Sequence, residues 1–267
     1  MQLLFPQHIY LLRGNHEFEA INDFYGFHSE CINNYKSQVL YDSFNTAFDN
    51  LPIAAIIDQK IFCVHGGLSP LLTSFTQIST MPKPLKSYDS DLVSDLVWSD
   101  PSTENPRYVQ SQRGTGVMFG TEAVNDFLET FSLKHIIRAH QCVPMGISCF
   151  GGNNLYTVFS CSNYSEGNGN RCGLMFVSHD LDVQVFSLPP VAQLDRRTCA
   201  MEKYPPKGFT LTMKKPSLTV TSKKMKSMSN GACKNSSMEK MCLLTRNLQP
   251  KQIVPTPLNS KRNVLAK

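Results

Sequence analysis

His8-Ile9-Tyr10-Leu11-Leu12 runs into Arg13-Gly14-Asn15-His16-Glu17, an apolar stretch that stops abruptly in a polar turn. The same grammar recurs at Val64-His65-Gly66-Gly67 and at Arg138-Ala139-His140-Gln141. Loops at strand ends are where a rigid sheet can hold reactive groups, and a glycine beside an imidazole lets the backbone turn sharply. One histidine next to one strand is ordinarily a packed or solvated side chain. Three in the same setting converge on a metal or phosphate site.

Working outward, His8 to Leu12 reads as a strand. Ala20 to Phe27 and Ser29 to Tyr35 read as helices. Gln38 to Leu51 places Val39, Leu40, Phe44, Ala47, Phe48 and Leu51 at the spacing of one helical face. Ile53 to Ile57 and Ile61 to Val64, separated by Asp58-Gln59-Lys60, form a hairpin pattern. Asp91 to Trp98 and Thr121 to Phe131 are predicted helices, the latter with Thr121 as N-cap. Short strands follow at Ile136 to Ile137, Ile147 to Phe150, Leu155 to Phe159, Leu174 to Val177 and Val183 to Leu188. Helices early and strands late predict an α+β domain centred on a β-sandwich rather than a doubly wound nucleotide fold. No internal repeat is present.

Pro190 divides the chain. Residues 1–190 carry a net charge of −8 and residues 191–267 one of +13, so the overall +5 describes neither part. Beyond Val191 the aromatics thin to Tyr204 and Phe209, and lysines alternate with Ser, Thr and Pro. Such a segment buries too little apolar surface to offset its ordering entropy, which predicts a globular domain over 1–190 and a basic, disordered tail over 191–267. The tail suits anionic partners, although it carries no nucleic-acid-reading motif.

The 267 residues, 41% hydrophobic, suffice for one sizeable core. No run reaches the roughly 18 to 20 apolar residues of a membrane span, and the first ten residues do not read as a secretory leader. Nine cysteines lie singly, without Cys-x-x-Cys, which suits a reducing compartment and predicts a cytoplasmic or nuclear protein.

An Asn carbonyl oxygen with two neutral imidazoles is a mixed O and N donor set. It suits Mn, Fe, Co or Zn better than Ca, and it lacks the thiolates of a structural zinc site. Neither a zincin His-Glu-x-x-His nor a P-loop occurs.

Leu11 to Glu17, His65-Gly66-Gly67-Leu68-Ser69-Pro70, Val97-Trp98-Ser99-Asp100-Pro101, Arg113-Gly114, Arg138 to Gln141 and Phe159-Ser160-Cys161-Ser162-Asn163-Tyr164 occur in one order over residues 5–188. In that order and spacing the chain resembles the phosphoprotein phosphatase family of serine/threonine phosphatases. Leu51 to Ile57 with Lys60 to Cys63 is most similar to its type 1 branch. The resemblance implies a metallophosphoesterase-type β-sandwich flanked by helices, and hydrolysis of phosphoserine and phosphothreonine esters by water activated on manganese, or on iron and zinc. It implies phosphoproteins as substrates and regulatory subunits as partners. By residue, Asn15, His65 and His140 resemble ligands of the second metal, and His16 the general acid that protonates the leaving oxygen. Arg113 resembles a phosphate-holding arginine, and Tyr164 a tyrosine lining the substrate groove. Glu17 and Arg138 read as structural neighbours, and Trp98 as a core residue or loop anchor.

The family pattern also contains a Gly-Asp-x-His-Gly turn and a Gly-Asp-x-x-Asp-Arg-Gly turn ahead of the position of Arg13, and neither occurs here. Those turns supply the first-metal ligands, so the domain is expected to be an N-terminally truncated form with second-site ligands only and impaired activity. The alternative expectation is a pseudophosphatase that binds partners without hydrolysis.

Overall fold

The hairpin expected around Asp58-Gln59-Lys60 starts the main sheet. In the computed structural model, which describes residues 2–165, 169–190 and 241–243, β1 (Ala54–Ile57) pairs antiparallel with β2 (Ile61–Val64). Asp58 and Gln59 both take left-handed backbone angles, with φ of 47° and 54°. That turn matches the twist of the strands it joins. β2 then runs parallel to β6 (His135–Arg138), and β6 parallel to β8 (Leu155–Val158). β7 (Ile147–Phe150) closes that side antiparallel to β8.

The β2 to β6 crossover carries α4 (Thr76–Ser79), α5 (Asp91–Trp98), a three-stranded sheet and α6 (Thr121–Thr130). The small sheet orders β3 (Asp100–Pro101), β5 (Val117–Phe119) and β4 (Tyr108–Gln110), with β5 in the middle. Phe62, fully buried on β2, lies between Phe75 and Phe127 at ring-centroid distances of 5.5 and 5.3 Å. Leu96 and Val97 of α5 and Val124 of α6 complete this core with Ile136 and Leu155 of the central strands. Each such side chain contributes about 1.5–3 kcal/mol through burial. A hairpin of β9 (Cys172–Val177) and β10 (Val183–Leu188) packs against β7 and β8.

Ahead of the sheet, a 3-10 turn at Asn15–Glu17 leads into α1 (Glu19–Phe24), α2 (Phe27–Tyr35) and α3 (Gln38–Phe48). The expected α+β class holds, with mixed parallel and antiparallel sheets and flanking helices. No helix of the described residues is long and apolar enough to cross a membrane.

Several local expectations change. His8 to Leu12 is not a strand. Only Arg13 N–H reaches the start of β1, at Pro52 O, 2.8 Å, while the edge of β1 pairs with β11 (Met241–Leu243). These three residues fall in the segment expected to be a disordered tail; the rest of 191–267 lies outside the described residues. The face of α3 is also rotated. Val39 is 74% exposed, whereas Tyr41 and Asn45 are buried. The reason is polar: Asn22 Nδ2 donates to Asn45 Oδ1 at 2.7 Å and Tyr41 Oη donates to Asn22 Oδ1 at 2.7 Å, so the helix turns its hydrogen-bonding side inward. Thr121 is the first helical residue of α6, and Gly120 is its N-cap. A Cβ at 120 would lie 1.8 Å from Asn105 O, which reserves the position for glycine.

Candidate metal centre

Because β2, β6 and β8 are parallel, their C-terminal ends open on one edge of the sheet. β1 runs the other way, so its beginning lies at that same edge, and the Arg13 to Pro52 hydrogen bond brings the Asn15 turn there. Four loops far apart in sequence therefore meet.

Arg13 fixes the first loop. It is fully buried, donates from Nε and Nη2 to Glu17 O at 3.0 and 2.7 Å, pairs with Asp49 Oδ1 at 3.1 Å, and lies 3.8 Å over the ring of Phe18. Gly14 N–H donates to Glu17 Oε2 at 2.7 Å. A Cβ on Gly14 would come within 2.8 Å of the His65 ring, so glycine is what lets the two loops close on each other. Glu17 thus has the structural role expected of it.

At the centre, His65 Nε2 stands 2.9 Å from Asn15 Oδ1, and the rings of His65 and His140 stand 5.2 Å apart, edge to face. His140 sits in the left-handed region with φ 61°, a strained conformation for a non-glycine residue of the kind that collects at functional sites. Its Nε2 is buried without a hydrogen-bond partner among the described residues. Trp98 packs edge-on against the same imidazole, 5.5 Å away. Burial first, then neighbouring cationic and imidazole groups, push His65 and His140 each down to about 3. Both rings are neutral near pH 7, which is the state a metal ligand requires.

The donor set fits a divalent ion: an amide oxygen beside one neutral imidazole, with the orphaned nitrogen of a second close by. Asn15, His65 and His140 would hold it. An amide and two neutral imidazoles make this set formally uncharged near pH 7; among the described residues no group of three or more His, Cys, Asp or Glu gathers as a metal cluster. Two neighbouring carboxylates are engaged elsewhere, Glu17 on the Gly14 amide and Asp100 on two arginines.

A cavity of about 760 Å³ joins all six sequence-named residues, being lined by Asn15, His16, His65, Arg113, His140 and Tyr164. His16 is exposed and packs on Tyr25 with ring centroids 4.8 Å apart. Arg113 is held by Asp100, its Nε donating to Oδ2 at 2.7 Å, while Arg138 Nη2 donates to Oδ1 at 2.6 Å. Arg138 is fully buried and also reaches Ser99 O and Gly66 O. Desolvation draws its pKa down to about 10 against the opposing pull of Asp100. Tyr164 is anchored through its backbone N–H to Asn170 Oδ1 at 2.8 Å, with its ring against Phe159.

Sequence reasoning missed two groups. Asp100 stands inside the Val97 to Pro101 motif, and the need of an arginine fork for a carboxylate partner could have singled it out. Tyr25 carries no signal in the sequence, because its contact with His16 depends on how α1 turns into Gly26.

Residues 1–144 match the calcineurin-like phosphoesterase family. The chain is 40% identical over 182 residues to a protein phosphatase 2A catalytic subunit of Dictyostelium discoideum, covering 68% of this chain and 58% of that protein. It also matches the structure of a protein serine/threonine phosphatase from Saccharomyces cerevisiae with similarity to human phosphatase PP5. That match has a TM-score of 0.67 and 29% identity over 73% of this chain and 64% of that one. The chain thus spans less than two thirds of either relative. Neither is named for type 1, so the expected type 1 branch gains no support from them.

Proposed function

This chain belongs to the calcineurin-like phosphoesterase family; from that premise we propose that it is a serine/threonine phosphatase, hydrolysing phosphoserine and phosphothreonine esters of proteins, a reading supported by its likeness to the two phosphatases. The observation that carries the reading is the single cavity lined by Asn15, His16, His65, Arg113, His140 and Tyr164. A bound divalent ion, manganese or iron and zinc, would supply a water of lowered pKa and a Lewis acid for the phosphoryl oxygens.

The chain's own residues do the rest. Arg113, with one edge pinned by Asp100, keeps further N–H groups free for phosphate oxygens, and pinning reduces the rotamer entropy lost on binding. His16 faces the same space and donates a proton to the departing seryl or threonyl oxygen. Neutral His65 and His140 offer lone pairs rather than positive charge to the ion. Tyr164, 59% exposed at the rim, presents a ring to the peptide on either side of the phosphoresidue. Regulatory subunits are proposed as partners of the outer surface, and anionic partners for the basic tail.

The uncharged donor set favours one second reading, a protein that binds phosphoproteins without turning them over. The experiment is phosphate release from a phosphoserine peptide by the full chain with added manganese. Release abolished by chelation and by His140→Ala supports the hydrolase. A folded chain that binds the phosphopeptide but releases no phosphate supports the binding protein.

A further inference from the structure

Away from the metal ligands, α1, α2 and α3 meet at one imidazole. His28, in the first turn of α2, has its Nδ1 3.0 Å from Asp23 Oδ1 of α1 and its Nε2 2.8 Å from Gln38 Oε1 at the start of α3. The other end of the Gln38 amide fixes which atom faces the ring. Its Nε2 donates to Asp42 Oδ1 at 2.9 Å, and turning the amide over would set its oxygen against that carboxylate. A carboxylate and an amide oxygen only accept, so both contacts are hydrogen bonds only when both ring nitrogens carry a proton. The arrangement is therefore built for the imidazolium. The ring also packs on Tyr41 of α3 with centroids 4.4 Å apart, a contact that favours a cation. The titratable and charged groups facing it are Asp23 from α1 and Asp42 and Tyr41 from α3. The Gln38 hydrogen bond is the largest cause of a His28 pKa raised above the ordinary 6.5; burial opposes it, and Asp23 and Asp42 reinforce it.

These contacts span the bend that carries Tyr25. Gly26, with φ 93°, turns the chain from α1 into α2, and its N–H closes on Asp23 O at 3.0 Å. Tyr25 lies between Asp23 and His28 in sequence, lines the metal-centre cavity and packs on His16. We propose that His28 is a proton-operated clasp that fastens this bend to α3, closed as the imidazolium and open as the neutral ring. On deprotonation one N–H proton passes to solvent. The remaining N–H stays on the Asp23 carboxylate, the stronger acceptor. The Nε2 lone pair then faces the Gln38 oxygen, the contact turns repulsive, and α3 is released. Because the folded-state pKa is raised, the contribution of the clasp is complete below pH 6.5 and is lost as the pH rises through the folded value. Opening on the alkaline side loosens the support of Tyr25 at the cavity wall.

The test needs no catalysis and stands apart from the phosphatase reading. The full chain, labelled on histidine, is titrated from pH 5.5 to 9 by NMR, and the His28 Cε1–H signal is the one missing from His28→Gln. Its midpoint should lie above 6.5 and should fall in Gln38→Met, a change at an exposed position. Amide exchange at Tyr25 and Gly26, corrected for intrinsic rates and referred to the amides of α6, should be at least about threefold faster at pH 8.5 than at pH 6. That difference should vanish in His28→Gln. The clasp is overturned by a midpoint at or below 6.5 in the unmutated chain, by a midpoint that Gln38→Met leaves unchanged, or by corrected exchange that is the same at both pH values or keeps its difference in His28→Gln.

Discussion

Acid should unfold this protein through two particular side chains, His65 and His140. Both have folded-state pKa values near 3 against an unfolded value of about 6.5, so below pH 6.5 the unfolded chain binds protons that the folded chain refuses. A depressed folded pKa means the stabilisation is complete above pH 6.5 and is lost as the pH falls toward 3. Each group costs about 1.4 kcal/mol per pH unit within that window. From pH 6.5 to 4.5 the pair therefore costs on the order of 5 kcal/mol, comparable with the whole stability of a domain at about 5–15 kcal/mol. The assay is urea denaturation in the presence of a chelator at pH 7.5, 6.5, 5.5 and 4.5, followed by far-UV circular dichroism and by the fluorescence of Trp98, the only tryptophan. Carboxylates contribute their own slope, so the informative quantity is the difference from His140→Asn, chosen because Asn tolerates the φ of 61° at that position. The variant should lose about half of the excess slope, since His65 stays buried and burial is the first cause of its shift. Parallel stability–pH curves for the two proteins between pH 6.5 and 4.5 would refute the reasoning.

Asp100→Asn should cost about 3–5 kcal/mol in chemical denaturation, because it strands the fully buried Arg138 guanidinium, whereas Arg113→Met should cost far less, its side chain being 42% exposed. Arg113→Met should instead weaken vanadate binding measured by calorimetry. Asn15→Asp adds a negative charge to a neutral donor set, and manganese affinity by titration calorimetry should rise at least about tenfold; an unchanged affinity would place the ion elsewhere. Gly14→Ala drives a methyl into the His65 ring and Glu17 Oε2, at 2.8 and 2.7 Å, and should lower stability by about 1–3 kcal/mol in thermal denaturation.

Much of the centre could be read from residue order. Histidines and an asparagine directly after apolar runs, next to glycines, mark loop positions at strand ends because the chain's local rules for strands and turns are short-range. The Ile61 to Val64 strand, the Asp91 to Trp98 helix and the Val183 to Leu188 strand follow from periodicity, and the structure keeps their limits. Long-range pairing was beyond such reading. That His65, His140 and Tyr164 share one cavity depends on β2, β6 and β8 being parallel neighbours, a choice made by the crossover and not by any local pattern. The same holds for the edge of β1, which pairs with Met241–Leu243 rather than with His8 to Leu12, since a strand exists only where another offers its hydrogen bonds. On α3, the apolar spacing pointed outward because the buried Asn22–Asn45–Tyr41 network, which ties two residues of α3 to Asn22 of α1 some twenty positions away, outweighed the pull of Val39. Sequence determined which residues could do the chemistry; tertiary pairing decided that they stand together, because hydrogen-bond satisfaction and burial are settled between segments rather than within them.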